Sequence, residues 1–200
     1  MKILALELST ARGSLAWLDN DGVELSREWP NDRKNSGALF KNLDAVTKEF
    51  GAPETIIVGL GPGSYAGTRI AISAAIGLGL SSSARLIGFP SICVMECDAY
   101  EYCVIGDARR KTFFFARIHG QEPVEGPTLY SESEMKAKLD RLEQAPPIFS
   151  SEFLPQFDRA VVRYPSAVVL GRVAQQPQRS FHFPPLEPIY LREPHITMPK

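Results

Sequence analysis

Ile3-Leu4-Ala5-Leu6-Glu7-Leu8, Ser14-Leu15-Ala16-Trp17-Leu18 and Val23-Glu24-Leu25-Ser26-Arg27-Glu28 stand at the head of the chain, and their reading decides the fold. Residues 2–8 form a continuous apolar strand. The runs 14–18 and 23–28 are two more strands, joined by Asp19-Asn20-Asp21-Gly22. Such a cluster supplies the positive φ angles that a tight hairpin turn requires. Three consecutive antiparallel strands are therefore expected before any helix.

Downstream the period changes. Leu39, Leu43, Val46 and Phe50 recur at helical spacing, which predicts a helix over 35–50 with Gly51 as its stop. Thr55-Ile56-Ile57-Val58-Gly59 is a short buried strand. A glycine-rich turn leads into a second helix over 65–82, then a strand over 85–89 and a short helix over 91–99. The order βββαβαβα is not doubly wound, because a Rossmann unit alternates from its first strand. In the second half, 102–107 and 111–119 are paired strands around Ala108-Arg109-Arg110. Ser131-Glu132-Ser133-Glu134 is a capping box that opens a helix to about Leu142. Short strands are expected at 146–149 and 160–162, and a last helix at 165–174. From Gln175 the chain turns polar and proline-rich, with Pro188-Ile189-Tyr190-Leu191-Arg192 as a small apolar clasp.

Two hundred residues make one to two units at about 150 per domain. A chain of this size buries roughly 70% of its unfolded surface and needs no disulfide staple. The formal net charge of −1 argues against a dedicated binder of nucleic acid or anionic membranes. No apolar run reaches the roughly 18 residues of a membrane span, and Glu7 interrupts the N-terminus too early for a signal-peptide core. Cys93, Cys97 and Cys103 read as free buried thiols, the first two able to share a helix face, and imply a reducing cytoplasm. His119, His182 and His195 are scattered, so neither a histidine-based metal centre nor a serine–histidine triad can be assembled.

The stretch Gly59-Leu60-Gly61-Pro62-Gly63-Ser64-Tyr65-Ala66-Gly67-Thr68-Arg69 lies between a strand and a helix. It could cradle phosphate on backbone N–H groups, or Ser64 could cap the helix while the glycines allow close packing. It is not a Walker A loop, a dinucleotide fingerprint or a nucleophile elbow. The helix it opens carries no charge between Arg69 and Arg85. A helix apolar all round must be buried all round; one face can pack on its own sheet, and the other calls for a partner, or else the helix is sandwiched wholly within the chain. Ala71, Ala75 and Gly79 form a smooth stripe on which another helix could lie. Glu7 and Asp107 each end the first strand of a half. They could hold magnesium or activate a water between two lobes, or cap their own turns with Ser9 or Thr10 and with Arg109. Arg109-Arg110-Lys111 is a basic turn, solvated or in contact with phosphate.

Leu4-Ala5-Leu6-Glu7-Leu8-Ser9-Thr10, Gly61-Pro62-Gly63-Ser64-Tyr65-Ala66-Gly67-Thr68-Arg69-Ile70, Asp107-Ala108-Arg109-Arg110 and Pro188-Ile189-Tyr190-Leu191-Arg192, in that order, resemble the TsaB (YeaZ-type) family. Its members are subunits of the bacterial complex that makes threonylcarbamoyladenosine in tRNA. The resemblance implies an α/β, actin-like ASKHA (ribonuclease H-like) fold of two lobes with mixed sheets, the second trimmed. The expected division is a lobe over 1–99, a reduced lobe over 100–175 and a tail over 176–200 packed on both. It implies a non-catalytic, cytoplasmic scaffold that activates the catalytic subunit TsaD, with the ATPase TsaE docking on the pair. tRNA would be bound through the complex alone, and the isolated chain could form a homodimer. No catalytic residue, metal or cofactor is expected on the lone chain. ATP or ADP would sit at the complex interface, with Glu7, Ser64, Arg69, Asp107 and Arg109 in its vicinity. The partner surface is expected on the first two helices, at Leu39, Phe40, Leu43, Ile70, Ala71, Ala74, Ala75 and Leu78. Glu7 replaces the usual Asp of phosphate-binding relatives, and Ser9-Thr10-Ala11-Arg12-Gly13 replaces their glycine-rich loop. The rival reading is a small kinase-like phosphotransferase or a glycoprotease-type peptidase. It would have to draw on Glu7, Asp107 and the Gly61–Gly67 loop.

Overall fold

The three opening strands form as expected: β1 (Ile3–Glu7), β2 (Arg12–Leu18) and β3 (Val23–Pro30). The structure is a computed structural model and describes residues 1–31, 37–142 and 146–192. β1 and β2 run antiparallel with Ile3 opposite Leu18 and Glu7 opposite Ser14. At the β2–β3 hairpin, Gly22 takes a φ of +134°, a region that favours glycine. Helix α1 (Gly37–Phe50) carries the chain to β4 (Thr55–Gly59), and α2 (Tyr65–Ser82) carries it to β5 (Arg85–Phe89). The expected start of α1 at Asn35 lies outside the described residues. β4 pairs parallel to β1 and β5 parallel to β4, giving the order β3-β2-β1-β4-β5.

The second half repeats this plan. β6 (Glu101–Asp107), β7 (Thr112–His119) and β8 (Glu122–Ser131) are antiparallel neighbours. Helix α3 (Glu132–Asp140) follows, with the Ser131–Glu134 capping box formed. β9 (Ile148–Ser150) then pairs parallel to β6, and β10 (Ala160–Val162) parallel to β9. The order β8-β7-β6-β9-β10 is that of the first sheet, strand for strand. Among the described residues no helix forms between β9 and β10, where the first half has α2. That is where the second half is trimmed. The last helix, α4 (Ala167–Ala174), turns back onto β1, β2 and β4. One core joins both sheets through it: Ile3, Ala16 and Ile57 from the first, Val104, Phe114 and Ala116 from the second, and Leu170 and Val173 from α4.

One expectation is corrected and one strand is added. The helix over 91–99 is a single 3-10 turn, Ser91–Cys93. Val94 O accepts from Ser166 N–H at 3.0 Å, and Glu96 N–H donates to Tyr164 O at 2.9 Å, so the segment pairs with 164–166 instead of coiling. Cys93 and Cys97 therefore share no helix face. β8 is a ten-residue strand that the sequence pattern does not announce. Pro123, Gly126 and Pro127 disguise it, and an edge strand tolerates them because one row of its backbone groups has no partner strand.

Candidate functional site

Two features on the described residues could bind something: a cleft between the two sheets, and a groove between α1 and α2. The cleft encloses about 600 Å³. One wall comes from the first half: residues 9–11, Asn31, Leu60 and residues 62–65. The other comes from the second: residues 105–109, Phe114, Ser151 and Glu152. Residues 188–192 of the tail run along it.

The glycine-rich loop is packed rather than open. A Cβ on Gly63 would come within 2.1 Å of the Ser9 carbonyl oxygen, and Ser64 N–H donates to that oxygen at 2.5 Å. Ser64 is the N-cap of α2, its hydroxyl accepting from Gly67 N–H at 3.2 Å. The loop's glycines thus let it press on the end of β1, and its serine satisfies a helix terminus.

Glu7 lies behind the cleft and not in it. Its side chain is fully buried against Gly59, where a Cβ would fall 1.8 Å from Glu7 Oε2. Its Oε1 accepts from Ser9 N–H at 2.7 Å, the capping of its own turn. Burial raises its pKa, opposed by the hydrogen bond from Ser9 N–H. Asp107 does line the cleft, and it also caps its turn. Oδ1 accepts from Arg109 N–H at 2.6 Å, and Oδ2 meets the Arg109 guanidinium at 3.2 Å. Asp107 N–H in turn donates to Glu152 Oε1 at 2.9 Å. Among the five residues expected near a nucleotide, Ser64, Asp107 and Arg109 face one space, while Glu7 is sealed off. Arg69 stands outside, donating to the Tyr65 phenol and lying over its ring, which holds the guanidinium pKa above its ordinary value. Sequence reasoning misses Thr10, Asn31, Tyr65 and Glu152 as cleft residues. Thr10 and Asn31 lie in the connections after β1 and β3 and Tyr65 opens α2, and only the fold reveals their convergence. Among the described residues no three His, Cys, Asp or Glu side chains are grouped to hold a metal, and no helix is long and apolar enough to cross a membrane. Burial pushes the free thiols up, Cys93 to about 12 and Cys103 to about 11.

The groove is smaller, about 470 Å³, and lined by Phe40, Leu43, Ser73, Ala74, Gly77, Leu78 and Ser81. Among the described residues no charged side chain lines it. Phe40 is 53% exposed. The expected partner surface is corrected here. Ala71 and Ala75 are fully buried and Leu39 is 1% exposed, all three inside this chain's own core. Ile70 packs against the same core and does not line the groove. Small residues on both sides of α2 give the sequence no phase, so the inward stripe and the outward one look alike.

Comparison with solved structures adds the fold's relatives. A Pseudomonas aeruginosa protein described as uncharacterized, with similarity to peptidase YEAZ, superposes with a TM-score of 0.72. It is 21% identical, with 96% of this chain and 99% of that one covered. YeaZ from Pseudomonas aeruginosa gives a TM-score of 0.69 at 19% identity, covering 88% and 91%. The fold is that of YeaZ. Two mixed five-stranded sheets with their helices make it an ASKHA, ribonuclease H-like fold. A scan against protein-family models returns no match, and neither does a search among curated proteins.

Proposed function

We propose that the chain is a non-catalytic scaffold subunit of a tRNA threonylcarbamoyladenosine complex. It pairs with the catalytic subunit TsaD and holds it in its competent state. The observation that carries this reading is the uncharged groove on α1 and α2, carried on a chain with the YeaZ fold. Apolar surface rimmed by serines and small residues is what a close helix contact uses. In this reading the partner face is Phe40, Leu43, Ala74 and Leu78, joined by Ser73 and Gly77. TsaE docks on the pair, tRNA is bound by the assembly in the cytoplasm, and ATP or ADP sits at the subunit interface. The same face joins two copies when the chain is alone. The kinase-like reading fits less well, because Glu7 is sealed behind Gly59 and the Gly61–Gly67 loop is pressed on β1.

Ala74→Arg tests the reading. Ala74 is half-buried at the groove, so the free chain can turn the new side chain to solvent. In the pair it becomes a buried unpaired charge costing about 3–5 kcal/mol, two or more orders of magnitude in affinity. Circular dichroism should show an intact fold, and gel filtration with TsaD should show the complex lost. A folded variant that still binds TsaD tightly removes this groove as the contact.

A further inference from the structure

The tail from Pro184 to Arg192 belongs to neither sheet, yet it touches both sides of the cleft. On the first side it is anchored: Leu186 is 7% exposed within the first-sheet core, and Ile189 N–H donates to Leu60 O at 2.8 Å. Tyr190 stacks on Tyr65 with ring centroids 5.3 Å apart. On the second side a side-chain bond holds it, from the Arg192 guanidinium to Thr112 Oγ1. Thr112 closes the β6–β7 turn, in which Arg109, Arg110 and Lys111 all take left-handed φ angles of 66°, 54° and 59°. The space beside the tail is not filled: residues 188–192 line the same cleft as Thr10, Asp107 and Glu152.

We propose that residues 188–192 form a strap that controls access to the cleft, hinged on the first half at Leu186–Ile189 and latched to the second by Arg192 on Thr112. The asymmetry of its attachments is the argument. A tail that served only stability would bury its side chains on both sides. This one commits a main-chain bond, Leu186, Ile189 and the Tyr190–Tyr65 stack to one wall; toward the other it gives the Arg192–Thr112 bond and Leu191, only half-buried against the core that both sheets share, and Tyr190 stays 40% exposed. Pro184, Pro185 and Pro188 stiffen the hinge end, so the ordered state loses little chain entropy. A latch made by one guanidinium–hydroxyl contact is strong enough to populate the closed state and weak enough to yield to a ligand or partner. Opening would expose Thr10 and Asp107 together. The inference stands whether or not the groove binds TsaD.

The test uses a thiol reporter. Thr10→Cys, in the full chain carrying Cys97→Ser, places a thiol on the wall opposite the latch; Cys93 and Cys103 are fully buried. Maleimide labelling of the introduced thiol should be slow, and Arg192→Ala should accelerate it about tenfold, the fold-change expected for one charge-assisted hydrogen bond. Thr112→Val should give a similar acceleration, and the double variant no more than either alone, since both remove one contact. Tyr190→Ala should also accelerate it. Equal rates in all backgrounds would overturn the strap. Labelling of Cys103 alongside the reporter would overturn it too, because the tail would then be holding the core together rather than gating the cleft.

Discussion

Gly77→Ala separates the fold from its proposed partner more sharply than the charge introduced by Ala74→Arg could. Gly77 is exposed on α2, and a Cβ built there meets nothing within 4 Å. In a helix interior, replacing glycine by alanine removes chain entropy from the unfolded state and gains about 1 kcal/mol. For a chain of 200 residues that is a Tm rise of about 2–4 °C. The same methyl group projects into the groove that Phe40, Ala74 and Leu78 line. If a partner helix packs there at the short end of the usual spacing of about 8–10 Å, the methyl overpacks the contact. Overpacking costs about 1–3 kcal/mol, which is roughly a 5- to 150-fold loss of affinity. Thermal melts of the lone chain and calorimetric titration with TsaD read the two effects separately. A lower Tm would mean the position is not open. A higher Tm with unchanged affinity would mean that TsaD does not approach α2 at Gly77.

Gly63→Ala should act in the opposite sense on stability: its methyl would meet the Ser9 carbonyl at 2.1 Å and disturb the Ser64–Ser9 bond. Together these cost about 2–4 kcal/mol, and an unchanged melting temperature would show that the loop is not packed on β1. Glu7→Gln should stabilise the protein near neutral pH. Burial raises the folded carboxyl above its ordinary value of 4.5, so Glu7's stabilising contribution is complete below that value and is lost as pH rises through the folded pKa. The gain of the glutamine variant should therefore vanish in denaturant titrations run at or below the ordinary carboxylate range, and a gain that grew on acidification would contradict the assignment. Arg110→Gly should raise stability by about 0.5–1 kcal/mol, since a left-handed φ of 54° strains arginine and not glycine; a destabilised variant would show that the arginine side chain contributes more than its backbone costs.

The fold is largely legible in the sequence, and for identifiable reasons. Asp19-Asn20-Asp21-Gly22 marks a hairpin, and glycine bounds β4, whose limits match the expected ones to the residue. Ser131 and Glu134 mark the start of α3 because capping needs those residue types at that spacing. What fails depends on distant partners. Residues 94–96 look helical until 164–166 take their hydrogen bonds, and β8 carries prolines that only an edge position excuses. The cleft is legible one wall at a time: Thr10 and Asp107 belong to different halves, and nothing local places them around one space.

The repeated strand order explains why the proposed partner surface is sought on one half only. Both halves set an antiparallel hairpin pair beside two parallel strands, and both place a helix before the fourth strand. They part at the next connection. Between β4 and β5 the first half spends eighteen residues on α2, a helix without charge from Ile70 to Ser82. Between β9 and β10 the second half returns by the short run 151–159, in which no helix forms. A sheet needs its face covered, and α2 covers the first sheet with Ala71, Ile72 and Ala75. Burial of that face alone would be served by a polar outer side, as in an ordinary amphipathic helix. The outer side is instead Ser73, Ala74, Gly77 and Leu78, flanked by Ile76 and Leu80 at 41% and 82% exposure. The sheet does not need that apolar outer surface; the proposed partner helix would.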